Sequence, residues 1–165
     1  MHLLLDRILT VNLICSTLIF YVAARIYILP KVKELKPQVI LPPIFLLHSF
    51  RHLGLMFLAR GAIYPGMPGQ FAYPAAVGDF LAAALAFVAI PATLKNLRVG
   101  RFLVWVFNIE GTVDLIIAII LATAYGAPAY MGAAYWIPAF WVPALLVTHY
   151  IVFIVLMRRE AEATS

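Results

Sequence analysis

Five apolar runs, separated by short polar or Pro/Gly-rich stretches, organise the chain. They cover approximately residues 8–29, 43–62, 75–94, 102–124 and 138–157. A membrane-spanning helix needs about 20 mostly apolar residues, and each run is of that length. None alternates with period two, so the pattern predicts helices rather than a transmembrane barrel. The expected fold is an all-α polytopic bundle of five transmembrane helices, forming one domain over 1–165. Prolines mark several starts: Pro42 and Pro43 before the second run, Pro74 before the third and Pro138 at the fifth. Pro143, just inside the fifth run, predicts a kink there.

The stretches between the runs alternate in charge. Lys31, Lys33 and Lys36 follow the first run, with Glu34 as the one acid. Lys95, Arg98 and Arg101 separate the third from the fourth, and Arg158 and Arg159 follow the fifth. The stretches 61–74 and 125–137 carry no charge. Cytoplasmic loops are enriched in Lys and Arg. Placing all the basic segments on one side gives an N-terminus outside and a C-terminus in the cytoplasm. With Arg25, nine of the 12 basic residues then face the cytoplasm, leaving Arg7, Arg51 and Arg60. A four- or six-span arrangement would mix basic and neutral loops on one face.

Composition agrees with this reading. Hydrophobic types make up 65% of the 165 residues, charged types 12%, and mean hydropathy is +1.00. A soluble domain holds roughly 45–50% apolar and about 25% charged residues, and a chain this short has too little interior to hide the excess. The formal net charge of +5 is accounted for by the loops, so no nucleic-acid partner is expected. The single cysteine, Cys15, lies inside an apolar run and permits no intrachain disulfide or zinc-finger site. The first run exceeds the roughly 7–15 apolar residues of a signal core, and no small-residue cleavage pattern follows it. It is expected to be a retained helix. Membrane lipid is the expected surrounding, with a homo-oligomer or a larger membrane complex as the expected assembly.

Near the ends of the neutral loops lie Tyr64, Phe71, Tyr73, Tyr125, Tyr130, Tyr135, Trp136 and Trp141. Amphipathic rings favour the headgroup layer, so these predict an interfacial belt. The sharper alternative is a lid over an outward-facing cavity, with the Pro/Gly-rich stretch before Pro74 as its gate. The third run is rich in alanine. Gly78, Ala82 and Ala86, four apart, allow close helix approach and predict a central helix.

Polar residues at membrane depth carry the chemistry, because an ionisable group in hydrocarbon costs several kcal/mol unless paired or hydrated. His48 and His52 are four apart and predict one helical face, with Arg51 beside them. Glu110 and Asp114 are likewise four apart, while Asn108 and Thr112 form a separate stripe on the same helix. Asp79 falls in the first turn of its predicted helix, where the positive end of the helix dipole favours a carboxylate. His149 lies on the fifth run. At a rise of about 1.5 Å per residue, Arg51, His52, Asp114 and His149 lie near mid-membrane, and Glu110 and His48 toward the basic side. These groups predict one buried polar cluster.

Three stretches resemble a family of small, uncharacterised bacterial multispanning membrane proteins. They are Phe50-Arg51-His52-Leu53-Gly54, the segment from Phe71 to Asp79 (FAYPAAVGD), and the segment from Asn108 to Leu115 (NIEGTVDL). The resemblance implies a bacterial inner membrane and points to Arg51, Asp79, Asn108, Gly111 and Asp114. It brings no activity, and His48, His52 and Glu110 fall outside its pattern.

Four functional readings stand. One is a proton- or ion-coupled transporter or channel, since buried His and carboxyl groups are the usual parts of a relay. Another is a structural or accessory subunit in which the charges only lock the bundle, with Arg51 paired to Asp114 or Asp79. A third is a transition-metal or haem site using His48, His52 and His149, with His52 and His149 as axial ligands in the haem case. An intramembrane enzyme using His and Asp is the fourth, and no nucleophile motif supports it.

Overall fold

A computed structural model describes residues 7–164. Five helices in it are long and apolar enough to cross a membrane. We label their α-helical parts α1 (Ile8–Tyr27), α2 (Pro37–Ser49), α3 (Gly69–Leu94), α4 (Arg98–Ala124) and α5 (Val142–Thr164); the second span runs on to Leu58 and the fifth begins at Gly132. A single helical turn, Leu29–Val32, follows α1. α2 continues as a 3₁₀ helix over Phe50–Leu58. Two further 3₁₀ turns, Ala127–Tyr130 and Gly132–Tyr135, lead through a π turn, Ile137–Trp141, into α5.

Helix starts and stops follow from local chemistry. Lys36 has extended backbone (ψ 146°) and precedes Pro37, whose missing N–H costs nothing at the first helical position. α3 is closed by Asn96, two residues past Leu94 and in the left-handed region (φ 49°), with Asn96 N–H bonded to the Thr93 carbonyl and Leu97 N–H to the Ala92 carbonyl. Those two bonds form the usual C-terminal clasp of a helix, with asparagine in the place glycine normally takes.

The sequence expectation for several boundaries is corrected. α2 begins at Pro37 rather than 43, and Pro42 and Pro43 lie inside it. α3 begins at Gly69 and includes Pro74. Each proline in the second turn removes one backbone bond, and a membrane helix tolerates this where neighbouring helices or local backbone adjustment satisfy the freed carbonyl. Two consequences follow. The stretch before Pro74 is no long re-entrant loop, since Gln70 to Tyr73 are helical. Asp79 lies ten residues after Gly69, about 15 Å along the axis, and not in the first turn. In the last span the distortion at Pro143 takes the form of the preceding π turn. Val142 N–H reaches back to the Ile137 carbonyl, because Pro143 itself has no N–H to give.

The charged loops gather at one end of the bundle and the neutral loops at the other. At the basic end Gln38 Nε2 donates to Asn96 Oδ1 (3.1 Å), and Arg158 donates to the Val32 carbonyl. At the neutral end Tyr64 N–H donates to the Tyr130 carbonyl (2.8 Å) and Ala134 N–H to the Ala62 carbonyl (3.0 Å), so the two neutral loops are clipped together. Two apolar cores lie along the bundle. The one nearer the basic end contains Phe45, Phe107, Ile151 and Leu156; the other contains Phe57, Phe71, Leu115 and Met131. Phe71 is 2% exposed and packs on Phe57 with ring centroids 5.0 Å apart. It belongs to this core and not to an interfacial belt. α3 packs on α2, its 3₁₀ extension and α4, whereas α1 leans on α5 and the π turn.

Candidate functional site

Between the two apolar cores lies a polar layer centred on Arg51. Its position follows from the 3₁₀ extension of α2. In a 3₁₀ helix residues three apart eclipse one another. The buried residues of this segment are Arg51, Gly54 and Phe57, and His48 continues the same line back into α2. His52 is rotated off this stripe. It is exposed, and its Nδ1 lies 2.9 Å from the Ser49 carbonyl. The expectation that His48 and His52 share a face is therefore wrong, because it assumed 3.6 residues per turn.

Arg51 has a fully buried side chain and meets three other helices. Its Nε donates to Asp79 Oδ1 on α3 (2.8 Å). Its Nη2 donates to Asp114 Oδ2 on α4 (2.5 Å), and its Nη1 to the Gly111 carbonyl (3.2 Å). Nη1 also lies 3.4 Å from His149 Nε2 on α5. His149 Nδ1 is 2.7 Å from Asn108 Oδ1. An amide oxygen only accepts, so with this amide orientation His149 carries its proton on Nδ1 and turns the Nε2 lone pair toward Arg51. His48 Nε2 lies 2.8 Å from the Thr148 hydroxyl, and that hydroxyl lies 3.0 Å from both the Ala144 and Leu145 carbonyls. The hydroxyl proton is thus directed to the backbone, and His48 donates from Nε2. Its Nδ1 and Asn108 Nδ2 are buried without a partner among the described residues.

Three glycines make the layer possible. A Cβ on Gly78 would overlap Asp114 Oδ1, one on Gly54 would overlap Asp79 Oδ2, and one on Gly111 would sit 2.7 Å from both Arg51 Nη1 and His149 Nε2. Contacts so short are not tolerated, so the charged side chains occupy space that any larger residue would fill. Sequence reasoning read Gly78 only as a helix-packing residue.

Of the predicted site residues, the structure brings together Arg51, Asp79, Asn108, Asp114 and His149. Asn108 joins this layer rather than a separate stripe, while Thr112 turns its hydroxyl back to the Asn108 carbonyl (2.6 Å). Glu110 is half-buried, and its Oε2 has no partner among the described residues. It is not bonded into the cluster with Asp114. The metal set does not converge. The His48 and His149 rings are T-shaped with centroids 4.3 Å apart, His52 is elsewhere, and both nitrogens of His149 are engaged. Among the described residues no group of three or more His, Cys, Asp or Glu is placed to hold a metal ion.

A cavity of about 250 Å³ opens on this layer from the neutral half, and Asp79 lies on its wall. Five spanning helices around a buried Arg/Asp/His cluster define a multi-span membrane protein with an internal polar site. Residues 8–157 match a family known as a domain of unknown function, DUF8737, and the chain belongs to that family. No curated protein and no solved structure matches the chain.

Proposed function

We propose that this protein is a small proton- or cation-coupled carrier of the bacterial inner membrane, with its neutral loops outside and its basic loops in the cytoplasm. The observation that carries the reading is a charge imbalance at depth. Two carboxyl groups converge on one guanidinium, leaving one acid without a basic counterpart. An uncompensated charge there costs several kcal/mol, so the surplus acid takes a proton or a cation. Asp79 is the member of the pair that lines the cavity. Arg51 serves as the fixed counter-charge, and Asp114, His149 and Asn108 hold it in place.

The second reading is that the cluster only locks the bundle, as in an accessory subunit. It is favoured by the fully buried Arg51 side chain and by its bonds to three neighbouring helices. Purified protein in liposomes loaded with a pH-sensitive dye separates the two. Under an imposed potential, the carrier reading expects proton entry above that of protein-free vesicles and its loss in Asp79→Asn, with unfolding temperature retained. Flux equal to protein-free vesicles, or flux unchanged by Asp79→Asn, overturns it.

A further inference from the structure

We infer that the cavity above Asp79 binds a hydrophobic organic ammonium ion, its charged end on Asp79 and its apolar body extending toward the neutral loops. This rests on the carrier reading and gives it a substrate class. The cavity wall on α3 includes Phe71, Ala75 and Asp79, so it runs about 12 Å along the helix with Asp79 at its deep end. At about 250 Å³ it lies near the lower end of ordinary small-molecule pockets, which span roughly 300–1,000 Å³. Its sides are apolar, supplied by residues such as Leu13, Leu115 and Met131. Asp79 is the only ionisable side chain on this wall among the described residues.

Charge decides the ligand. Asp79 gives Oδ1 to Arg51 and leaves Oδ2 without a hydrogen-bond partner among the described residues. The Arg51 side chain is sealed and already donates to Asp79, Asp114 and Gly111. An anion entering the cavity would meet a carboxylate and find no free guanidinium. A bare metal cation would need several oxygen ligands, and an apolar wall offers only Asp79 with the Thr10 and Thr123 hydroxyls at the far end, the latter 2.9 Å from the Ile119 carbonyl. An ammonium group on the cavity-facing side of the Asp79 carboxylate supplies the missing positive charge, while its hydrocarbon replaces the rest of the empty volume.

The route into the cavity fits a membrane-dissolved ligand. Leu9, Thr10 and Leu13 of α1 form one side of it, and only Ala24 of α1 is buried. The ligand therefore enters beside a weakly packed helix, from the bilayer.

Three matched probes test the assignment: 4-phenylbutylamine, 4-phenyl-1-butanol and 4-phenylbutyrate, titrated against the full chain in nanodiscs with unfolding temperature as readout. The amine is expected to bind at least about tenfold more tightly than the alcohol, the size expected of one charge-assisted hydrogen bond, and the butyrate not at all. Ala118→Phe, which puts a ring into the cavity one helical turn beyond Asp114 on α4, is expected to abolish the amine shift. Asp79→Asn is expected to equalise amine and alcohol. Equal binding of alcohol and amine by the unmodified chain, or an amine shift that survives Ala118→Phe, overturns the inference. Amine binding without proton flux would sink the carrier reading alone, and flux without amine preference would sink this inference alone.

Discussion

α1 and α3 are nearly alike in hydropathy and opposite in use. Their mean hydropathies are 1.7 and 1.9, yet 6% of the α1 span is buried against 44% of the α3 span. α1 presents large side chains outward, such as Ile14, Leu18 and Ile19, each at least 60% exposed. α3 presents alanines inward, with Ala76, Ala82, Ala86 and Ala89 all at 0%. The lesson is that lipid removes hydrophobicity as a guide to the interior of a bundle. Where the surroundings are as apolar as the core, close approach through small residues decides which helix is central. That approach is also what lets Asp79 and Asp114 reach Arg51.

Substitutions on the two helices should therefore separate widely. The largest effect is expected from Gly78→Val, whose side chain would displace the Asp114 carboxylate and strand charges in the bundle. A loss on the order of 3–5 kcal/mol is expected, read by unfolding in mixed detergent–SDS micelles. Ala86→Leu should cost about 1–3 kcal/mol by overpacking, in the same assay. On α1, Asn12→Leu removes the hydrogen bond to the Tyr135 hydroxyl (3.3 Å) and should cost about 0.6 kcal/mol. Leu18→Ala, at a position 60% exposed, should stay within about 0.5 kcal/mol. A cost at Leu18 equal to that at Ala86 would erase the distinction between the two helices.

Much of this is legible in the sequence alone. Apolar run length identified five helices, and small residues at spacing four identified α3 as central. The charge pattern of the loops anticipated that the stretches around Lys31 and Lys95 gather at one end, where Gln38 meets Asn96. Arg51 with Asp79 or Asp114 followed from the cost of an unpaired arginine in hydrocarbon, although the structure uses both acids at once. Two things were hidden. The first was the change of helical period at Phe50, which aligns His48, Arg51, Gly54 and Phe57 and turns His52 out; nothing in the local composition announces a 3₁₀ segment of nine residues. The second was the tolerance of α2 and α3 for internal proline. Proline usually marks a boundary in water, but in lipid the remaining turns keep their bonds and the helix continues, which displaced Asp79 from a helix end to the middle of a span.

The central claim is that Arg51 and its two carboxylates form one energetic unit across the helices. The most direct measurement is a double-mutant cycle of Arg51→Met with Asp114→Asn, scored by unfolding free energy. A coupling of about 2 kcal/mol is predicted, with Asp114→Asn far less costly once Arg51 is gone. Costs that add to within about 0.5 kcal/mol would contradict the account.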